Sequence, residues 1–245
     1  MHRFFVRPEN ISGDEVILRG NDVSHIRTVL RLKSGDRIQV LDGLGTRYFV
    51  QLNGVETREV RGRVESKEPF QTESPVAIQM GMALLKGNKF DVVLRKAVEL
   101  GAHSIAPLQT DRCIVKMDRT EPQKKTVRWQ RIAEEAAKQS GRSHLPKVSL
   151  DILSVESFCQ ENRNADVKLI FWEEEETHRL ADLLPSPSPR SIAFLTGPEG
   201  GLTDSEIQTA RQYGFQSITL GPRVLKAETA PVVVLSLLQS RWGDL

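Results

Sequence analysis

The sequence has only two cysteines and no long apolar run, and both absences narrow the kind of protein that it encodes. Cys113 and Cys159 form no CxxC pair, and the five histidines show no metal-ligand spacing, which argues against a structural metal or a disulfide framework. No stretch approaches the roughly 18 apolar residues of a membrane span. The first eight residues are too short an apolar stretch for a secretion signal. We therefore expect a cytoplasmic protein without a metal ion.

Two common phosphate-binding motifs are also absent, since no G-x-G-x-x-G precedes a helix and no G-x-x-x-x-G-K-[ST] occurs. Two other turns stand near the carboxyl end: Thr-Gly-Pro-Glu-Gly-Gly at 196–201 and Leu-Gly-Pro-Arg-Val-Leu-Lys-Ala-Glu-Thr-Ala at 220–230. Each follows a strand-like segment and precedes a helix-like one. Glycine lets a ligand approach the main chain closely, so these turns predict a ligand crevice.

Charge is unevenly distributed along the chain, although the net charge is only +2. Residues 1–68 carry a net +2, residues 86–147 carry +7 and residues 151–245 carry −6. A basic middle is expected of a protein that neutralises phosphates. A solvated surface explains the same charges equally well.

Residues 1 to about 68 predict a small β-barrel, because short strand-like segments alternate with turn signals such as Ser34-Gly35-Asp36 and Asn53-Gly54. A single helix-like piece, 21–32, interrupts them. The strands are predicted at 3–6, 15–18, 37–41, 48–52 and 59–64.

After a polar, proline-bounded linker at 69–75, strands alternate with helices, which predicts an α/β domain with a mainly parallel sheet. We therefore place the domains at 1–70 and 74–245. The Pro/Ser segment 184–190 is expected to be an extended loop. Strands are predicted at 76–84, 103–108, 167–172, 191–195 and 217–220, and helices at 88–100, 123–140, 204–213 and 230–242.

Three of these helices carry more detailed signals. An apolar face ended by Gly101 supports the first, and a capping box from Thr203 to Glu206 supports the third, which Gly214 stops. In helix 123–140 we expect an apolar buried side and a basic side that faces either water or RNA. The buried sides comprise Phe90, Val93, Leu94, Ala97 and Val98 in the first helix, and Val127, Ile132, Ala133 and Ala136 in the second; the basic side comprises Lys124, Lys125, Arg128, Arg131 and Lys138.

The two glycine turns resemble the carboxy-terminal knot of the SPOUT methyltransferases, most closely the 16S ribosomal RNA uracil-N3 methyltransferase family, which carries GPEGG followed by LGPR-x-L-[RK]-x-ETA. The resemblance spans essentially the whole chain. It implies a trefoil-knotted α/β domain, a smaller amino-terminal PUA-like RNA-binding barrel, and a homodimer. It also runs through the segments 3–6, 29–32, 86–89, 95–101, 110–112 and 139–142.

For the site, the resemblance implies S-adenosylmethionine held by the turns and by the end of a preceding strand. Of the acidic run 173–176, we assign only Glu173 to this site, since the run could also face water. The implied cofactor residues are Phe171, Glu173, Thr196, Gly197, Glu199, Gly200, Gly201, Leu220, Gly221, Leu225 and Thr229.

The implied reaction is methylation of N3 of one uridine in 16S ribosomal RNA of the small subunit, position 1498 in the common numbering. Glu228 could accept the N3 proton or orient the base, and a role in satisfying free N–H groups at a helix start explains it equally well. Arg223 and Lys226 could stabilise charge on the uracil oxygens. The family more often has arginine at the position of Lys226. Lysine keeps the positive charge but lacks the planar guanidinium, which weakens the case for a bidentate phosphate contact there.

For RNA we expect phosphate contacts from cations in both domains, although each cation alone could be an ordinary surface charge. Two other functions remain open: a non-catalytic RNA-binding assembly factor, and a ribose 2'-hydroxyl methyltransferase acting on another RNA. The apolar helix 230–242 fits a dimer surface or a monomer core. The expected RNA-binding residues are Arg7, His25, Arg27, Arg31, Lys86, Lys89, Arg112 and Arg142.

Overall fold

The computed structural model describes residues 1–115, 122–183 and 187–245, and the chain folds as two compact units. The first contains Met1–Glu73 with Ala137–Leu145, and the second contains Ser74–Ala136 with Pro146–Leu245. The segment 137–145, which the sequence boundary leaves in the second domain, packs with the first unit. Its Ser143 N–H donates to Thr72 Oγ1 (2.7 Å), and its Lys138 ammonium pairs with Asp22 (2.9 Å).

The first unit is a curled six-stranded sheet around an apolar core. Alternate residues of its strands point inward, such as Val16 with Leu18 and Ile38 with Val40, which are all buried. In chain order the strands are β1 (Arg3–Phe5), β2 (Ile11–Ser12), β3 (Glu15–Arg19), β4 (Arg37–Leu41), β5 (Thr46–Val55) and β6 (Glu59–Pro69). They lie in the order β1-β4-β5-β6-β3-β2, and only β1 and β4 pair in parallel.

The helix predicted at 21–32 is wrong in its extent. The α-helix α1 covers only Asn21–Ser24, and a π-helical turn follows at His25–Val29. Arg31 then adopts a positive φ of 53°, which ends the helical path. Ile26 is buried and Leu32 packs on the core, so packing overrides the regular 3.6-residue period here.

The second unit has a six-stranded sheet in the order β12-β10-β11-β7-β8-β9, with every neighbouring pair parallel. Its strands are β7 (Ala77–Ala83), β8 (Ser104–Leu108), β9 (Lys147–Val148), β10 (Val167–Phe171), β11 (Ser191–Thr196) and β12 (Gln216–Ile218). Its remaining helices are α2 (Lys89–Glu99), α3 (Pro122–Ser140), α4 (Val155–Glu161), α5 (Asp204–Gln212) and α6 (Ala230–Trp242). The parallel sheet confirms the α/β prediction. The trefoil knot stays a prediction from the resemblance.

The predicted apolar face of α2 is confirmed, as is the capping box of α5, where Thr203 and Glu206 bond each other's backbone N–H. Gly101 and Gly214 follow these helices with φ of 80° and 82°, as helix-ending glycines do. Sequence reasoning missed β2, β9 and α4, which are too short to carry a periodic pattern. Ser154 caps α4 by accepting from Ser157 N–H, and that signal could have located this helix.

The predicted burial of Val127 in α3 is wrong, because its side chain is 63% exposed. Trp129 occupies the buried face instead. Its indole N–H donates to Asp91 Oδ1 (3.0 Å), and its ring stacks on Phe90 with centroids 4.3 Å apart. This anchor sets the rotation of the helix and turns Val127 outward.

Within the described part of the chain, none of the helices combines the length and apolar character that a bilayer crossing requires. The described residues also contain no group of three or more His, Cys, Asp or Glu arranged to hold a metal ion. In the segment 184–190, residues 184–186 lie outside the described residues.

Candidate active site

A cavity of about 1010 Å³ opens beyond the carboxyl ends of β10, β11 and β12. Phe171 and Thr196 are the last residues of β10 and β11, and Thr219 directly follows β12. Parallel sheets commonly bind ligands at this edge. Twelve of the fourteen residues predicted for cofactor binding or catalysis line the cavity: Phe171, Glu173, Thr196, Gly197, Glu199, Gly201, Leu220, Gly221, Arg223, Leu225, Lys226 and Glu228.

The other two predicted residues, Gly200 and Thr229, do not line the cavity. Gly200 C=O accepts a hydrogen bond from Arg112 Nη1 (3.1 Å), and this bond fixes the backbone of the glycine turn. Thr229 is the residue before α6, and its N–H donates to Lys226 C=O (2.8 Å). Both residues therefore shape the loops around the cavity rather than its wall.

Glycine is required at two points of the turn after β11. At Gly201 the backbone has φ of 73°, and an added Cβ would lie 1.8 Å from Glu173 Oε1. At Gly197 an added Cβ would lie 2.9 Å from Leu202 Cγ. The absence of side chains there brings the Glu173 carboxylate and the turn backbone together at the cavity wall.

Two buried polar atoms at the cavity, Thr196 Oγ1 and Trp172 Nε1, have no hydrogen-bond partner among the described residues. Buried polar atoms are nearly always bonded, because desolvating an unpaired donor or acceptor costs roughly 1–3 kcal/mol. An orphaned hydroxyl and an orphaned indole N–H at one cavity fit a ligand that carries polar groups.

Three charged residues meet at the cavity. The Lys89 ammonium lies 3.4 Å from Glu199 Oε1 and 3.2 Å from Glu228 Oε2. Glu199 Oε1 also accepts the Lys86 N–H (3.2 Å). Lys89 comes from α2, whereas the two carboxylates come from the loops after β11 and before α6, so one cation links three segments.

The pKa values of these carboxyls lie below their ordinary value. Burial by itself would raise the pKa of Glu199, but the N–H groups of Glu199 and Lys86 and the Lys89 ammonium outweigh it. Glu228 has a lowered pKa chiefly because its own backbone N–H bonds to the carboxylate, with Lys89 adding to the effect. The ammonium of Lys89 in turn has a raised pKa, caused first by Glu228. Both acids are therefore ionised at neutral pH.

Glu175 anchors one wall of the cavity. Its buried carboxylate accepts the N–H and hydroxyl of Thr177 (3.0 and 2.6 Å), the His178 N–H (3.1 Å) and the Ser217 hydroxyl (2.5 Å). Burial raises the pKa of Glu175, but these hydrogen bonds, led by Ser217, more than reverse it and hold the pKa far below its ordinary range. The carboxylate thus ties the loop after β10 to β12.

The comparisons with known proteins agree with this geometry. A family model described as "RNA methyltransferase domain" matches residues 72–239, and another described as "RNA methyltransferase PUA domain" matches residues 18–65. The chain is 32% identical to ribosomal RNA small subunit methyltransferase E of Bacillus subtilis, over 97% of this chain and 96% of that protein. The chain belongs to this RNA methyltransferase family.

Solved structures of similar proteins match the family fold over nearly the whole chain. A ribosomal RNA small subunit methyltransferase E from Neisseria gonorrhoeae, bound to S-adenosyl methionine, has a TM-score of 0.89 and 35% identity, covering 100% of this chain and 99% of that chain. A methyltransferase from Legionella pneumophila with bound SAM has a TM-score of 0.90 and 32% identity, covering 99% and 98%.

The cations that the sequence analysis predicted for RNA binding differ in their surroundings in this methyltransferase. Arg142 is buried and its guanidinium pairs with Glu73, so the predicted phosphate contact is contradicted, because almost none of this side chain reaches the surface. The Arg112 guanidinium donates to the carbonyls of Gly200 (3.1 Å) and Leu202 (3.2 Å). Lys89 belongs to the cavity, while Lys86 is exposed beside it.

The remaining expected RNA cations of this methyltransferase lie in its first unit and are exposed. Arg7 pairs with Glu9 at 3.8 Å. His25 and Arg27 lie in the π-helical turn, and Arg31 follows it. In the cavity, Trp172 lies within the strand end 171–173 that the resemblance implied as a wall of the site. Sequence reasoning missed Glu175, because no local signal distinguishes it from the other members of the acidic run.

Proposed function

We propose that this protein transfers a methyl group from S-adenosylmethionine to N3 of a uridine in 16S ribosomal RNA. The observation that carries the proposal is the cavity at the ends of β10, β11 and β12, where the GPEGG turn and the loop 219–229 face two unpartnered buried polar atoms. Membership in the RNA methyltransferase family supports the reaction class.

The residues at the cavity fit the cofactor. We assign Thr196 Oγ1 and the turn backbone to its polar groups, and Phe171, Leu220 and Leu225 to the apolar sides of its adenine. Glu173 and Glu199 supply negative charge near a cationic ligand. Gly197, Gly200, Gly201, Gly221 and Thr229 complete this proposal as residues that shape the two loops. When bound, S-adenosylmethionine supplies an electrophilic methyl group on a positively charged sulfur.

Glu228 is the residue that we assign to the N3 proton of uracil. Its lowered pKa keeps it ionised, so it can accept a hydrogen bond from N3–H and thereby orient the base. A carboxylate is a weak base, but N3–H becomes strongly acidic as the new N3–carbon bond forms. The proton can then pass to Glu228 while the methyl–sulfur bond breaks and the sulfur retains that electron pair as a neutral thioether.

Arg223 and Lys226 complete the proposed catalytic set. Both side chains are exposed, line the cavity and make no ion pair among the described residues. Free cations at this position can stabilise negative charge that develops on uracil O2 or O4 as N3–H is polarised. The two positive charges therefore favour a uracil ring as the methyl acceptor over the neutral 2'-hydroxyl group of a ribose.

For the substrate we propose uridine 1498 of the small ribosomal subunit. The amino-terminal domain, residues 1–70, is assigned to RNA binding, and residues 74–245 to catalysis. The RNA contacts are assigned to Arg27, Arg31 and Lys86, with Arg7 and His25 at the edge of that surface. Ribosomal RNA as substrate implies action in the cytoplasm.

We also propose that the protein works as a homodimer. Val224 and Leu237 line the cavity, yet they are 79% and 43% exposed, so a second copy could cover apolar surface beside each site. Light scattering on the intact protein should give twice the chain mass, and Leu237→Glu should lower it. A monomeric wild-type protein at micromolar concentration would contradict this assignment.

The direct test uses radiolabelled S-adenosylmethionine and small subunits that lack the modification, with the label mapped by nuclease digestion and mass spectrometry. Label on N3 of a single 16S uridine is the expected result. Label on a ribose, or in another RNA, would support methyl transfer to RNA but would refute uridine N3 of 16S ribosomal RNA as the methyl acceptor. Cofactor binding without any transfer would favour a non-catalytic assembly factor, which is the second candidate function.

A further inference from the structure

The nine residues from His25 to Lys33 have a backbone that is unusual for this protein. The π-helical turn His25–Val29 has its Leu30 N–H bonded to His25 C=O (2.9 Å), five residues back. Arg31 is the one non-glycine residue with positive φ in the described part of the chain. Strained or π-helical backbone of this kind persists where packing enforces it, and it is common at functional sites.

This backbone pushes an apolar side chain into solvent. Leu30 and Leu32 both pack against the apolar core of the first unit, and Ile26 is buried within it. Val29 lies between Ile26 and Leu30 in the chain, yet it is 68% exposed. A regular helix would not have placed neighbouring apolar residues on opposite sides in this way, so the segment presents Val29 at the surface.

The same segment carries three cations and no acid: Arg27, Arg31 and Lys33. None of the three forms an ion pair with a described residue. Nearby acids are engaged elsewhere, since Asp22 pairs with Lys138 (2.9 Å) and Asp36 accepts the Lys33 backbone N–H (2.7 Å).

Five other arginines of the same unit behave differently, because they pair with glutamates on their own or neighbouring strands or turns. Such pairing offsets part of the basic charge of this unit, whereas segment 25–33 concentrates three cations that form no ion pair with a described residue. The paired arginines are Arg7, Arg19, Arg37, Arg47 and Arg61.

We propose that segment 25–33 is the RNA-docking element of this protein, with Arg27, Arg31 and Lys33 on phosphates and Val29 packed against an unpaired base. Unpaired cations alone could bind any anionic partner. The exposed apolar side chain among them favours a partner that offers both phosphates and flat apolar surfaces. Single-stranded RNA presents this combination. The inference rests on the proposed RNA substrate and specifies which surface reads it.

The experiment measures binding of a fluorescent RNA hairpin by the intact protein across a range of salt concentrations. Arg27→Gln, Lys33→Gln and Arg31→Gly should each weaken binding and lower the slope of log affinity against log salt by about 0.7–0.9, since each removes one phosphate contact. Glycine retains the positive φ at position 31. Val29→Asn should weaken binding by roughly three- to tenfold without changing the slope, because it removes an apolar contact.

Two variants of exposed residues in other turns serve as matched controls. Arg58→Gln removes an arginine that makes no ion pair with a described residue, and Leu44→Asn removes an apolar side chain that is 66% exposed. Both should bind RNA as the wild type does. Equal losses in the test and control variants would overturn the proposal. Unchanged RNA binding in all four segment variants would also overturn it, and would leave an acidic protein surface as the partner of this segment.

Calorimetric binding of S-adenosylmethionine, measured on the same variants, separates this inference from the proposed function. The segment variants should bind the cofactor normally. A wild-type protein that binds RNA through segment 25–33 but binds no cofactor would refute the methyltransferase proposal and leave the docking proposal standing.

Discussion

At the scale of single residues, Lys89 is the cation on which two carboxylates of the cavity depend. It lies 3.2 Å from Glu228 and 3.4 Å from Glu199. We predict that Lys89→Met raises the pKa of both acids, because one cause of their lowered pKa is removed. The carboxylate form of Glu228 is present above its pKa, so the acid limb of the pH–rate profile should move to higher pH. The pH dependence of kcat measures this shift.

The other charges around Glu228 make the expected result specific. Its own backbone N–H and Lys226 on the same loop also lower the pKa of Glu228 and remain in the variant, so the shift should be partial. Lys89→Arg keeps the charge and should restore the wild-type profile. We expect kcat to fall about tenfold in Lys89→Met, since misplaced groups can cost up to about 10²-fold. An unshifted acid limb would mean that Lys89 only supports the fold.

Gly201 is a second residue with a testable role. We predict that Gly201→Ala weakens binding of S-adenosylmethionine, because its Cβ would displace the Glu173 carboxylate, 1.8 Å away. Alanine at φ of 73° should also cost roughly 1 kcal/mol of stability. Gly13→Ala is the control, since Gly13 has φ of 58° and no atom within 4 Å of an added Cβ. Calorimetry should show weaker binding only in Gly201→Ala.

At the scale of elements, the loop after β10 depends on one buried acid. We predict that Glu175→Gln lowers the free energy of unfolding by about 2–4 kcal/mol at pH 7, because hydrogen bonds from Ser217 and Thr177 lose their charged acceptor. Thermal denaturation measures the loss. Glu174→Gln in the same loop is the control, and its exposed side chain should cost less than about 0.5 kcal/mol.

The effect of Glu175 should depend on pH in a definite direction. Its folded pKa is lowered, so its stabilisation is fully present above the unfolded value of about 4.3 and is lost as the pH falls below that. The stability gap between wild type and Glu175→Gln should therefore be widest near neutral pH and should narrow below about pH 4. A gap that is constant from pH 7 to pH 3.5 would contradict this assignment.

Elements with strong local signals were predictable. The apolar face of α2 and the capping box of α5 follow from spacing within each segment, because helix formation depends on near neighbours. The helix at 21–32 was not predictable in detail. Its interruption depends on Leu32 reaching the core of the sheet, which no local pattern encodes.

At the scale of the whole molecule, cofactor binding should couple to unfolding. Because the cavity exists only when β10, β11 and β12 are assembled, we predict that S-adenosylmethionine raises the melting temperature. The expected stabilisation is about 2.7 kcal/mol at one hundred times its Kd. Scanning calorimetry at increasing cofactor concentrations measures the shift. Methionine, which lacks the adenosine group, is the control, and equal shifts with both compounds would exclude a site that reads the adenosine.

The sequence by itself determined the α/β class, and its resemblance to a known family supplied twelve of the residues that line the cavity. Alternating strands and helices predict a mainly parallel sheet, and the carboxyl ends of parallel strands meet at one edge, so both glycine turns were expected at that edge. The strand order, with β10 between β11 and β12, was not predictable in this way. Only the tertiary structure decided which charges pair. Lys89 meets Glu199 across 110 residues of chain, and Arg142 meets Glu73 across 69. Such pairs depend on how distant segments pack, and therefore the sequence suggested RNA contacts for cations that the fold uses internally.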